Sequence, residues 1–147
     1  MGGHPYWYIV PYKSNLQAAL DELRQREFKA GRYNPVMPWM NFPLGADAPS
    51  PGPRHRTIEE ALEAADADGS RSILDIERIS EAPDYCTASP LEPEMLEEFY
   101  GTTRPTREMV EDNMDFFEEL ERGKATYIIL YSGDKPTEVL FAGISFD

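Results

Sequence analysis

An α+β fold is what this sequence predicts: a sheet of about four mainly antiparallel strands with helices packed mostly on one face. Two segments and the order of the rest carry that expectation. Residues 6–35 read as a strand, a capped helix and a stop, and residues 125–146 read as a terminal hairpin. Between them the patterns give the order strand, helix, helix, strand, helix, helix, strand, strand, with the first strand expected beside the hairpin. No internal repeat divides residues 1–147, and composition shifts only in one proline-rich stretch, so a single domain is expected. A chain of 147 residues is long enough to bury about two thirds of the surface its unfolded form exposes.

The opening run YWYIVPY, residues 6–12, has the aromatic and β-branched content of a strand. Ser14 and Gln17 then have the SxxQ spacing of a capping box. Leu16, Ala19, Leu20, Leu23 and Phe28 fall largely on one helical face, and Gly31 supplies the stop. Residues 32–56 hold six of the 13 prolines, which excludes a helix interior or a central strand. Within that stretch, residues 36–44 carry enough apolar surface to pack or to dock, whereas residues 45–53 have the composition of a mobile linker.

Thr57 and Glu60 open a second helix whose narrow apolar stripe is Ile58, Ala61, Leu62 and Ala65, ending before Gly69. RSILDIERIS, residues 71–80, predicts a strand with Leu74 and Ile76 on one face and Ile73 and Ile79 on the other. A loop through Pro83, Tyr85 and Cys86 follows. Ser89, Pro90 and Glu92 then signal a helix start, with Leu91, Met95, Leu96 and Phe99 inward and Gly101 as its end. A long helix is expected from Thr106 to Arg122, turning Val110, Met114, Phe117 and Leu120 inward. ATYIILY, residues 125–131, is apolar on both faces, as suits a central strand, and VLFAGISF, residues 139–146, returns after a turn. Gly143 within it marks a bulge or a close approach of another group.

Net charge is -13, and it is unevenly spread. Residues 1–56 hold seven bases against four acids, a balance of +3, while residues 57–147 hold seven bases against 23 acids, a balance of -16. The second part repels phosphates, so no nucleic-acid partner is expected. The apolar runs are too short to cross a bilayer, and MGGHPYWY lacks the basic and apolar regions of a secretory signal, so no membrane partner is expected. Cys86 is the single cysteine, which excludes an internal disulfide and fits a reducing compartment. A cytoplasmic location is the corresponding expectation.

Most catalytic signatures fail. Two histidines and one cysteine are too few and too scattered for a zinc site, and GxxxxGK[ST], GxGxxG and GxSxG are all missing. Asp66, Asp68 and Gly69 resemble the middle of a calcium loop, but Ala64 and Asp75 occupy positions that need a carboxylate and a bidentate glutamate. No cofactor or metal is therefore expected. Three sets of residues stay as candidate sites. Glu108, Glu111, Asp112, Asp115, Glu118 and Glu119, joined by Glu92, Glu94, Glu97 and Glu98, form an acidic surface suited to a basic protein partner. Met37, Trp39, Met40 and Phe42 offer either an aromatic anchor for a partner or oligomer, or a simple cover for the core. Arg32, Tyr33 and Asn34, just past the first helix, are placed to line a small anionic site.

These sets define the functional expectations. The first is a non-enzymatic protein-binding or inhibitor protein, such as an immunity protein that neutralises a basic toxin or nuclease. The alternative is an interaction or oligomerisation module built on the Met/Trp/Phe loop. A third is a small enzyme using Cys86, whose thiol would need a lowered pKa, or a pair of carboxylates.

Overall fold

The structure, a computed structural model, describes residues 3–38, 40, 42, 44–45 and 47–146. Its α+β architecture is a five-stranded mixed sheet in the order β1-β5-β4-β3-β2, with helices on both faces. The strands are β1 (Pro5–Pro11), β2 (Arg78–Ile79), β3 (Thr87–Pro90), β4 (Ala125–Ser132) and β5 (Lys135–Ile144). β1 and β5 pair antiparallel, as do β5 and β4, whereas β4 with β3 and β3 with β2 are parallel. The expected neighbourhood of the first strand and the hairpin is present; the four-stranded, mainly antiparallel sheet is replaced by a larger mixed one.

Strand alternation explains the two covered faces. Tyr6, Tyr8 and Val10 of β1 join Val139 and Phe141 of β5 and Ala125 of β4 in one core. Against it pack α1 (Leu16–Ala30) and α2 (Ile58–Ala65), through Ala19, Leu20, Leu23 and Ala61. The intervening residues Leu140, Ala142, Ile128 and Leu130 point to the opposite face and form a second core with Val110 and Phe116. That face is covered by α3 (Pro93–Tyr100), α4 (Arg107–Asp112) and a 3-10 segment, Asp115–Glu119. Helices on one face only would leave Leu130 and Leu140, both wholly buried, in water.

Several expected elements are re-cut. Asn15, not Ser14, caps α1, its Oδ1 accepting from Ala18 N at 3.1 Å. Gln17 instead closes the free edge of β2. Its Oε1 accepts from Ile79 N at 2.8 Å and its Nε2 donates to Glu77 O at 3.1 Å, so a side chain takes the place of a sixth strand. Within residues 71–80 the strand shrinks to two residues, because Ser72 turns the chain into a 3-10 segment, Ile73–Asp75, by accepting from Leu74 N. Residues 89 and 90 belong to β3; α3 starts at Pro93 after Glu92. The Thr57 cap holds as read, accepting from Glu60 N at 3.1 Å.

The other sheet edge is also managed. Tyr12 N donates to Thr137 O and Ser145 N donates to His4 O, so even-numbered residues of β1 face β5. Pro5 and Pro11 therefore occupy outward positions, where a missing N–H removes no ladder bond. Gly143 is a close approach: a Cβ there would run into the phenol end of the buried Tyr6 side chain.

Residues 47–53, expected to be linker-like, meet the end of α1 at Gly52. Gly52 N donates to Ala30 O at 2.9 Å, and Gly31, at φ 76°, lies so close that a Cβ on it would collide with the Gly52 carbonyl. The segment is thereby pinned to the C-terminus of α1.

Candidate functional site

The acidic surface is built on the α3 and α4 side of the sheet. Thr106 caps α4, accepting from Met109 N at 3.3 Å, but the helix runs only to Asp112. Asn113 stops it. The Asn113 Oδ1 accepts from Asp115 N at 2.9 Å, its Nδ2 donates to Phe99 O at 3.3 Å, and its carbonyl accepts from Tyr100 OH at 2.7 Å. An asparagine that satisfies local backbone groups competes with the helix, so the long helix expected over residues 106–122 is broken in two and tied to α3. Burial, with Asp115 nearby, pushes the Tyr100 phenol up to about 12, which keeps it a hydrogen-bond donor.

Glu108, Glu111, Asp112, Asp115, Glu118 and Glu119 are all exposed, as are Glu92, Glu94, Glu97 and Glu98 on and beside α3. Cations are few here. Arg107 pairs with Glu111 at 3.3 Å and Glu138 at 2.8 Å, Arg104 with Asp134 at 3.6 Å, and Lys124 with Glu121 at 3.3 Å. Among the described residues, Glu108, Asp112, Asp115, Glu118 and Glu119 take part in no ion pair. Their charge is displayed to solvent rather than neutralised, and Met109, one of two large exposed hydrophobic residues among the described residues, stands among them.

The aromatic loop is placed differently. Trp39 lies outside the described residues. Met37, Met40 and Phe42 are half-buried, and Phe42 meets Tyr8 edge-on, with ring centroids 5.4 Å apart. Met40 and Phe42 also line a groove of about 410 Å³ with Trp7, Met114 and Phe117.

Arg32, Tyr33 and Asn34 have their polar groups committed internally. Arg32 grips the wholly buried Glu27 through Nε and Nη2, at 2.8 and 2.7 Å, and its Nη1 donates to Ser50 Oγ at 2.8 Å. Tyr33 is fully buried, stacked on Phe28, with its hydroxyl 2.8 Å from His55 Nδ1. Asn34 Nδ2 donates to Gly69 O at 3.0 Å. The cluster fastens the proline-rich segment to α1, and its carboxylate partner already occupies the place of an anion. Arg26 also pairs with Glu27, at 2.9 Å, while Glu22 pairs with Lys13 at 3.1 Å.

Cys86 is half-buried at φ 60°, its N–H held by Gly123 O at 2.8 Å. Burial, followed by the carboxylates of Glu77, Asp75 and Asp84, pushes its thiol up. Such a thiol is mostly protonated near neutrality and is a weak nucleophile. Among the described residues, no group of three His, Cys, Asp or Glu side chains converges to hold a metal ion. None of their helices is long and apolar enough to cross a membrane.

Among the described residues, two buried carboxylates are not anticipated by the sequence pattern. Glu27 sits four residues beyond Leu23 on the apolar face of α1, a position that could have revealed it. Asp75 had no comparable signal. It is 5% exposed, its Oδ1 accepts from Ser70 N at 2.8 Å, and its Oδ2 has no hydrogen-bond partner. Burial raises its pKa, against the opposing bonds from Ser70. The native carboxyl therefore holds its proton more tightly than the unfolded one. Between the unfolded and native pKa values the native chain binds more protons, so the site's contribution to stability falls as pH rises through that window. Urea unfolding of the parent and of Asp75→Asn, at about pH 7 and about pH 5, is expected to show the difference moving in the parent's favour at the lower pH. A pH-independent difference would remove this assignment.

Comparison of the chain with protein-family models, with curated proteins and with solved structures found no match.

Proposed function

We propose that this chain is a non-enzymatic binding protein whose acidic surface engages a basic protein partner, as an immunity protein would when it neutralises a basic toxin or nuclease. One observation carries the reading: five exposed carboxylates outside any ion pair, on α4 and the 3-10 segment, share one side of the sheet with the four glutamates on and beside α3. A surface of one sign speeds encounter with the opposite sign, excludes nucleic acid, and competes with phosphates for a basic site. The tagged chain is expected to capture a partner from host extract at low salt and to release it as salt rises. The triple variant Glu111→Lys, Asp115→Lys, Glu118→Lys is expected to slow association at least about tenfold. A partner whose binding is indifferent to both salt and charge reversal would overturn the reading.

The groove beside Met40 and Phe42 favours a second reading, an interaction or oligomerisation module. Binding there is apolar, so it would resist salt and fall with Phe42→Ala.

A further inference from the structure

We infer that a pocket between α3 and the 3-10 segment receives one apolar side chain carried on a basic segment of the partner. The inference rests on the acidic-surface reading and specifies how that surface would select its partner. The pocket measures about 170 Å³, and Leu91, Met95, Phe116 and Leu120 supply its apolar lining. Ligand pockets for drug-sized molecules begin at roughly 300 Å³, so this one suits a single aliphatic side chain.

Two of its polar side chains are already engaged. Thr126 Oγ1 donates to Ser89 O at 2.9 Å, and Lys124 pairs with Glu121 while lying 5.0 Å from the centre of the Tyr85 ring. The floor thus has little to offer a polar ligand. The rim is another matter, because, among the described residues, Glu92 and Glu119 are exposed carboxylates outside any ion pair beside the opening, in addition to Glu121, which Lys124 balances. An anionic ligand would be repelled, whereas Lys or Arg residues flanking an inserted apolar residue would meet these carboxylates in water. Tyr85, 60% exposed beside Lys124, adds the kind of surface aromatic that anchors protein interfaces. Apolar knob and basic flanks are therefore the complementary chemistry.

The test is an NMR titration at low salt with two blocked pentapeptides, Lys-Lys-Leu-Lys-Lys and the same peptide with glycine at its centre. The leucine peptide is expected to bind about tenfold more tightly, as burial of one leucine predicts, and to shift the methyl resonances of Leu91, Met95 and Leu120. Met95→Trp, which fills the pocket, is expected to erase the preference and keep the salt-dependent binding. Equal affinities with no methyl shifts in the parent would overturn the pocket and leave the acidic-surface reading standing. Failure of both peptides to bind would overturn the acidic-surface reading, and the pocket with it.

Discussion

Glu27→Ala is expected to lower the stability of the fold by about 3 kcal/mol, within the range found when one partner of a buried ion pair is removed. The Glu27 side chain is wholly buried, while Arg32 is 15% exposed and Arg26 50% exposed. Removing the carboxylate leaves the Arg32 guanidinium largely desolvated without its counter-charge, which is where most of the loss arises. Arg26 can turn to water, so Arg26→Ala is expected to cost less than about 1 kcal/mol. The damage should be local in origin, because Arg32 also holds Ser50 and the nearby Ala30 carbonyl accepts from Gly52 N. Urea unfolding measures the loss, and hydrogen exchange over residues 45–56 should report loosening of that segment. The double variant Glu27→Leu, Arg32→Leu is expected to recover part of the stability, since it leaves no orphaned charge. A Glu27→Ala protein within about 1 kcal/mol of the parent would show that the pair does not hold the segment.

Hydrophobic period makes β1, α1 and the terminal hairpin legible, and the Thr57 cap marks α2, because each pattern has room to repeat or to declare its start. β2 and β3, of two and four residues, are too short for alternation to declare itself, and their parallel pairing is set by contacts distant in sequence. Asn113 was a break written in one residue inside a run that otherwise kept helical spacing. The second covered face is signalled as well: apolar residues on both sides of residues 125–131 require two packed layers, which helices mostly on one face do not supply. For the candidate sites, exposure of the acidic residues followed from their position opposite the apolar stripe. Arg32 could not be understood from its own neighbourhood, because its role depends on which face of α1 Glu27 occupies. Asp75 owes its burial to the turn after Ser72 and to Gly69, where a Cβ would press on the Asp75 carboxylate.

Phe116→Ala is expected to cost about 3–5 kcal/mol, the range for truncating a fully buried phenylalanine, and to weaken the acidic surface along with the fold. Asp115–Glu119 is a five-residue 3-10 segment, too short and too poorly bonded to persist alone. Its hold on the sheet is the Phe116 ring, which is wholly buried in the core of Val110, Ile128, Leu130 and Leu140 and stacked 4.8 Å from Phe117. Asp115, Glu118 and Glu119 ride on the same segment, so their position depends on that ring. Phe117, half-buried, should cost less when truncated. Hydrogen exchange in residues 113–121 is expected to rise more than in β4 and β5, and partner capture should fall beyond what the loss of folded protein explains. A small stability loss, or exchange that rises equally everywhere, would show that the segment is held by something other than Phe116. The link between a buried aromatic and an exposed carboxylate is thus measurable: the same substitution reads out the packing of the second core and the order of the surface built on it.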